Sequence, residues 1–182
     1  MRWPVITGVF LVVTAASAVA YTQVAARLGS GNPPPMADPA LQADRVLVDK
    51  SDRLLILVRN GQEIARHSVS LGSGADDGPK RVEGDGRTPE GLYQIETRNP
   101  DSRFHLSLRI SYPSAADSAS AAATGKSPGG DIMIHGVPNG WGWASALFKG
   151  RDWTNGCIAV TNDEMRSLWA QVPDGTLIEI RK

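Results

Sequence analysis

Apolar residues along this chain alternate with polar ones over short runs, and helical spacing is sustained in one place only. Arg45–Lys50 and Leu54–Arg59 are rich in Val, Leu and Ile, which predicts two strands. Asn60-Gly61 follows the second run and precedes Gln62–Leu71. Both central residues of a two-residue hairpin need positive φ, so Asn-Gly predicts a hairpin here. Gly72–Gly91, dense in glycine, charge and proline, is expected to be a long ordered loop. Leu92–Arg98 and His105–Tyr112 predict further strands, Ser114–Thr124 a short alanine-rich helix, and Ile132–His135 a short buried strand. Thr161 with Glu164 three residues on forms a capping box, and Met165, Leu168, Trp169 and Val172 follow at helical spacing until Pro173. Thr176–Arg181 alternates like a closing strand. The pattern predicts a single, mainly β domain with one or two short helices.

Composition changes the picture mostly at the front of the chain. Lys plus Arg and Asp plus Glu both total 19, and no basic run concentrates charge, which argues against a nucleic-acid partner. Arg2 is followed by the apolar run Val5–Ala20, ending Ala18-Val19-Ala20. A basic start, an apolar stretch and an A-x-A end predict a signal peptide or an uncleaved signal anchor over residues 1–28. Either places the domain outside the cytoplasm, in the periplasm or cell envelope, free or anchored to the inner membrane. Residues 29–43 contain three consecutive prolines and predict an extended linker, leaving 44–182 as the folded domain.

Cys157 is the only cysteine, so no intramolecular disulfide can form. A lone thiol in an exported protein suggests intermolecular pairing or a reactive nucleophile, with a buried thiol packing as a small hydrophobe the alternative. A thiol is mostly protonated at neutral pH and needs a base or a positive neighbour. Of the three histidines, His67 falls among polar alternating residues and is expected to be solvated, and His105 could face either side of its strand. His135 ends the apolar triplet Ile132-Met133-Ile134 and precedes Gly136, a strand end opening onto a loop. Gly156 removes the side chain beside the sulfur, so backbone amides at Gly156 and Cys157 are the expected oxyanion donors.

Ile134-His135-Gly136 followed by Thr154-Asn155-Gly156-Cys157-Ile158 resembles the signature of the L,D-transpeptidase (YkuD-type) catalytic domain family. Gly78-Pro79-Lys80-Arg81 and Gly84–Tyr93 resemble the segment these enzymes carry upstream of the site, so the resemblance runs from about Arg45 to Arg181. It implies a sandwich or barrel form for the β domain, Cys157 as nucleophile, His135 as its base and the Gly136 carbonyl as the group orienting the imidazole, with Thr154 and Asn155 positioning the turn. It further implies acyl transfer on peptidoglycan stem peptides through a Cys157 thioester, cross-linking them or attaching a wall protein, without metal or organic cofactor. A hydrolase acting on the same type of bond (an L,D-carboxypeptidase or amidase) and a non-catalytic wall-binding module are the alternatives. Two positions depart from the usual signature: Asn155 stands where a histidine is common, and Ala159 where an arginine often follows. Tyr112, Trp141, Trp143, Arg151 and Asp152 are the remaining candidates for contact with substrate.

Overall fold

A computed structural model describes residues 32–182 together with Ser17, Ala20, Tyr21 and Val24. The predicted export segment and the start of the linker otherwise lie outside the described residues. Among the described residues, no helix is long and apolar enough to cross a membrane.

The alternating segments form eight strands: β1 (Arg45–Asp49), β2 (Leu54–Arg59), β3 (Gln62–Ser68), β4 (Gly91–Asn99), β5 (Ser107–Ile110), β6 (Met133–His135), β7 (Ile158–Ala159) and β8 (Leu177–Arg181). Within residues 32–182, three α-helices accompany them: α1 (Ala115–Ala122), α2 (Ser145–Phe148) and α3 (Asn162–Gln171). The sheet order is β3-β2-β1-β8-β4-β5-β6-β7. Only β1–β8 and β6–β7 run parallel; the other neighbours are antiparallel. The β2–β3 hairpin turns at Asn60 and Gly61, both at positive φ (49° and 75°), the conformation that such a turn demands.

The sheet curls until its ends meet. Just beyond β3, Ser70 and Ala159 exchange two backbone hydrogen bonds of 2.8 Å, so the first and last strands in the order are stitched together. A closed sheet leaves no bare edge there, and the stitched seam carries the segment leading to Cys157. Inside, Val46, Val48, Leu55 and Leu57 are fully buried, as period-two alternation requires. The capping box of α3 forms as expected: Thr161 Oγ1 accepts from the Glu164 amide, and the Glu164 carboxylate accepts from the Thr161 amide. Met165, Leu168 and Trp169 of α3 then fill the core.

The structure departs from the sequence pattern in a few places. The strand expected over His105–Tyr112 is confined to β5, because His105 sits at φ 67° and breaks the extended run. His67 is half-buried and not solvated: its Nδ1 lies 4.0 Å from the Glu164 carboxylate of α3. The two-residue β7 is too short to leave a periodic trace, and α2 within the Val137–Arg151 segment was likewise not legible.

Candidate active site

Strand pairing brings the two chemically interesting residues together. In the parallel β6–β7 ladder Ile134 faces Ile158 and His135 faces Ala159. Side chains alternate between faces with period two, so Cys157, one residue before β7, lies on the same face as Met133 and His135. Cys157 and His135 accordingly line one cleft of about 350 Å³.

His135 is 4% exposed. Its Nδ1 lies 2.7 Å from the carbonyl oxygen of Gly136. A carbonyl can only accept, so Nδ1 carries the proton and donates it, leaving the lone pair on Nε2. Gly136 is itself held in place: its amide donates to the Phe104 carbonyl at 3.0 Å. A Cβ there would stand 2.5 Å from Asn162 Oδ1 and 2.9 Å from His105 Cβ, so only glycine fits. Phe104 and Trp153 flank the imidazole, with ring centroids 4.6 and 5.8 Å away. Burial among these rings pushes the His135 pKa down to about 4, outweighing the opposite pull of the Gly136 carbonyl. The imidazole is therefore neutral, and able to accept a proton, throughout the neutral range.

The cysteine sits in a turn tied by one hydroxyl. Thr154 Oγ1 donates to the Cys157 carbonyl at 2.7 Å and accepts from the Gly156 amide at 3.1 Å. Thr154 is fastened in turn by its amide to Leu71 O (3.1 Å) and by its carbonyl to Ser73 N (2.9 Å). Because the Gly156 amide is already engaged, the Cys157 amide, which has no acceptor among the described residues, is the free donor of the expected oxyanion pair. The thiol points toward the Asp131 carbonyl, 3.5 Å from Sγ. Burial pushes the Cys157 thiol up, more than the Met133 amide lowers it. The resting pair is thus thiol plus neutral imidazole, not a preformed ion pair. Below its pKa a thiol gains about tenfold in thiolate per pH unit, so the rate of Cys157 alkylation by iodoacetamide is expected to keep climbing past pH 8.5. A plateau reached below pH 7 would mean a stable thiolate and refute the neutral pair.

The glycine-rich upstream loop braces this turn. Asp85 accepts from the amides of Arg81, Val82 and Arg87 and from the Lys80 ammonium at 3.0 Å. Burial alone would raise the Asp85 carboxyl, but these donors hold it down at about 2. The loop fixed in this way sets the Arg87 carbonyl against Gly156, where a Cβ would come within 2.5 Å of it, at φ 119°. Backbone strain costs about 1–3 kcal/mol and overpacking about 1–3 more, so Gly156→Ala is expected to lose about 2–5 kcal/mol of stability. Urea unfolding measures it, and a loss below about 1 kcal/mol would mean the loop is not held against the turn.

Residues 43–180 match the family model of the L,D-transpeptidase catalytic domain (YkuD). The chain belongs to that family. Among relatives of this L,D-transpeptidase-family chain, YafK of Escherichia coli (strain K12) is 38% identical over 61 residues, 32% of this chain and 23% of YafK. The structure of Bd1075 from Bdellovibrio bacteriovorus superposes with a TM-score of 0.54 at 25% identity, covering 85% of this chain and 53% of that one. The helical cell shape determining protein Pgp2 from Campylobacter jejuni gives 0.57 at 22%, covering 89% and 54%. The chain thus spans about half the length of these solved relatives, or less than a quarter for YafK, and Pgp2 shares its fold.

Five residues expected to contact substrate lie elsewhere than the cleft. Tyr112 is core: it is 2% exposed, its hydroxyl donates to Pro128 O at 2.9 Å, and its ring meets Tyr93 edge-on. Asp152 forms a bridge with Arg53 (2.7 Å) and accepts from the Leu71 amide at 2.9 Å, fixing the strand behind the cysteine. Trp141 and Trp143 stack on each other at 6.2 Å, exposed, and Arg151 is exposed beside the seam. The cleft wall is made instead by Phe104, Trp153, Arg103 and Asn155. Trp153 was within reach of sequence reasoning, since it directly precedes the Thr154–Cys157 turn. Phe104 and Arg103 carried no such signal, because only the β5–β6 pairing, with Ser107 opposite His135, brings them to the site.

Proposed function

We propose that this protein is a cysteine acyltransferase of the cell envelope that takes peptidoglycan stem peptides as acyl donors. The reading rests on one observation above the others: a thiol and an imidazole with its lone pair on Nε2 open into the same cleft. In this reading His135 Nε2 takes the Cys157 proton as sulfur attacks the peptide carbonyl joining the L- and D-centres. The Cys157 amide donates to the developing oxyanion. The proton passes to the departing D-alanine amine as the C–N bond breaks, leaving a thioester. An amine on a second stem peptide or wall protein then attacks, His135 accepts its proton, and the thiol is regenerated.

Mass spectrometry of the purified protein with a disaccharide-tetrapeptide and an amine acceptor tests this. The expected result is D-alanine release, an acyl adduct on Cys157 and a joined product. Release without any joined product, acceptor in excess, would move the assignment to a hydrolase. No release under any condition would remove both.

A further inference from the structure

The family's signature often carries an arginine two residues after the cysteine, but Ala159 occupies that position and is 4% exposed, held by its backbone at the sheet seam. Among the described residues lining the cleft, Arg103 is the one cation. Its backbone is fixed from a single side chain: Asn139, 8% exposed, donates through Nδ2 to Ser102 O (2.9 Å) and accepts through Oδ1 from His105 N (2.8 Å). The Asn139 amide also donates to the carbonyl of Arg103 itself at 3.0 Å. No carboxylate among the described residues lies within 4.0 Å of the Arg103 guanidinium; the same holds for Arg59, Arg81, Arg87, Arg151 and Arg166, but none of those lines the cleft. The single carboxylate lining the cleft, Asp131, stands 3.5 Å from Arg109, which lies outside the cleft and is shared with Glu96 at 3.9 Å. Arg103 is thus the one cleft-lining cation, exposed, on a fixed backbone and without a carboxylate partner of its own.

We propose that Arg103 is the specificity residue of this cleft and pairs with a free carboxylate of the acyl donor. The inference rests on the acyltransfer reading and deepens it, replacing the cation missing at position 159 with one reached from the segment before β5. A guanidinium takes a carboxylate through two parallel N–H···O bonds, which a carboxamide cannot match in charge.

Binding separates this from the chemistry. Two tetrapeptide donors are compared by calorimetry on Cys157→Ala protein: one with its free carboxylates, one with them converted to carboxamides. The carboxylate peptide is expected to bind about tenfold tighter or more, as charge-assisted bonds allow. In Cys157→Ala/Arg103→Gln the preference is expected to fall within about twofold, and Arg103→Lys to keep part of it. An undiminished preference in the Arg103→Gln protein, no preference with Arg103 present, or no binding of either peptide each overturns the proposal. A preserved Arg103-dependent preference in a protein whose Cys157 never releases D-alanine would overturn the acyltransfer reading alone.

Discussion

Cys157→Ala is expected to reduce release of D-alanine from a stem peptide to the uncatalysed background, a loss of about 10⁶-fold if the thiol acts as a nucleophile coupled to its base. The substitution removes one sulfur from the lining of the cleft, where Cys157 is partly buried. It leaves every hydrogen bond that builds the turn intact, because Thr154 engages the backbone of residues 156 and 157 and not the side chain. Urea unfolding should therefore shift by less than about 1 kcal/mol, the range of substitutions that disturb no buried network. Residual turnover above about one per cent, by a protein with unchanged unfolding, would show that the bond is broken by another group.

His135→Ala is expected to slow acylation of Cys157 by about 10²–10⁴-fold at pH 7, the usual worth of a positioned general base. The ring is buried between Phe104 and Trp153, so some loss of stability accompanies the change, and rate alone would not separate chemistry from packing. The pH profile does. With Nε2 gone, only solvent can take the thiol proton, and the rate should rise by about tenfold per pH unit toward the raised pKa of the thiol. The intact protein, whose base is neutral from about pH 4 upward, needs no such help, so the deficit should narrow as pH climbs. A deficit constant from pH 6 to 9 would reduce His135 to a packing element.

Much of the fold was legible because its elements obey local rules. The Asn60-Gly61 turn, the Thr161–Glu164 box and the alternation in β1 and β2 each depend on a few adjacent residues, and each is present where the pattern placed it. Family membership was legible for a similar reason, since two short motifs kept their order across nearly the whole domain. The cleft wall was not. Aromatic residues near the cysteine in sequence, Trp141 and Trp143, stack on one another away from it, while Phe104, some fifty residues distant, lies against His135. Tyr112 was misjudged as a wall residue because a strand end looks alike from either side of a sheet until its hydroxyl is seen bonded to Pro128. Engagement of the Gly156 amide by Thr154 was equally hidden, although both residues belong to the same turn.

The seam between Ser70 and Ala159 has a consequence for the order in which the molecule acquires its chemistry. Contacts that close the sheet behind the cysteine join distant parts of the chain, as in the Arg53–Asp152 bridge, whose partners are 99 residues apart. Such long-range closures carry the largest entropic cost and tend to form late in folding. Until then Cys157 has neither the shelter of the cleft nor an imidazole beside it, and it titrates like a thiol in any unfolded chain, near pH 8.5. Closure then raises the thiol and shields it. The sulfur is thus most exposed to oxidation and mixed-disulfide capture before the seam closes, and the completed seam shelters it.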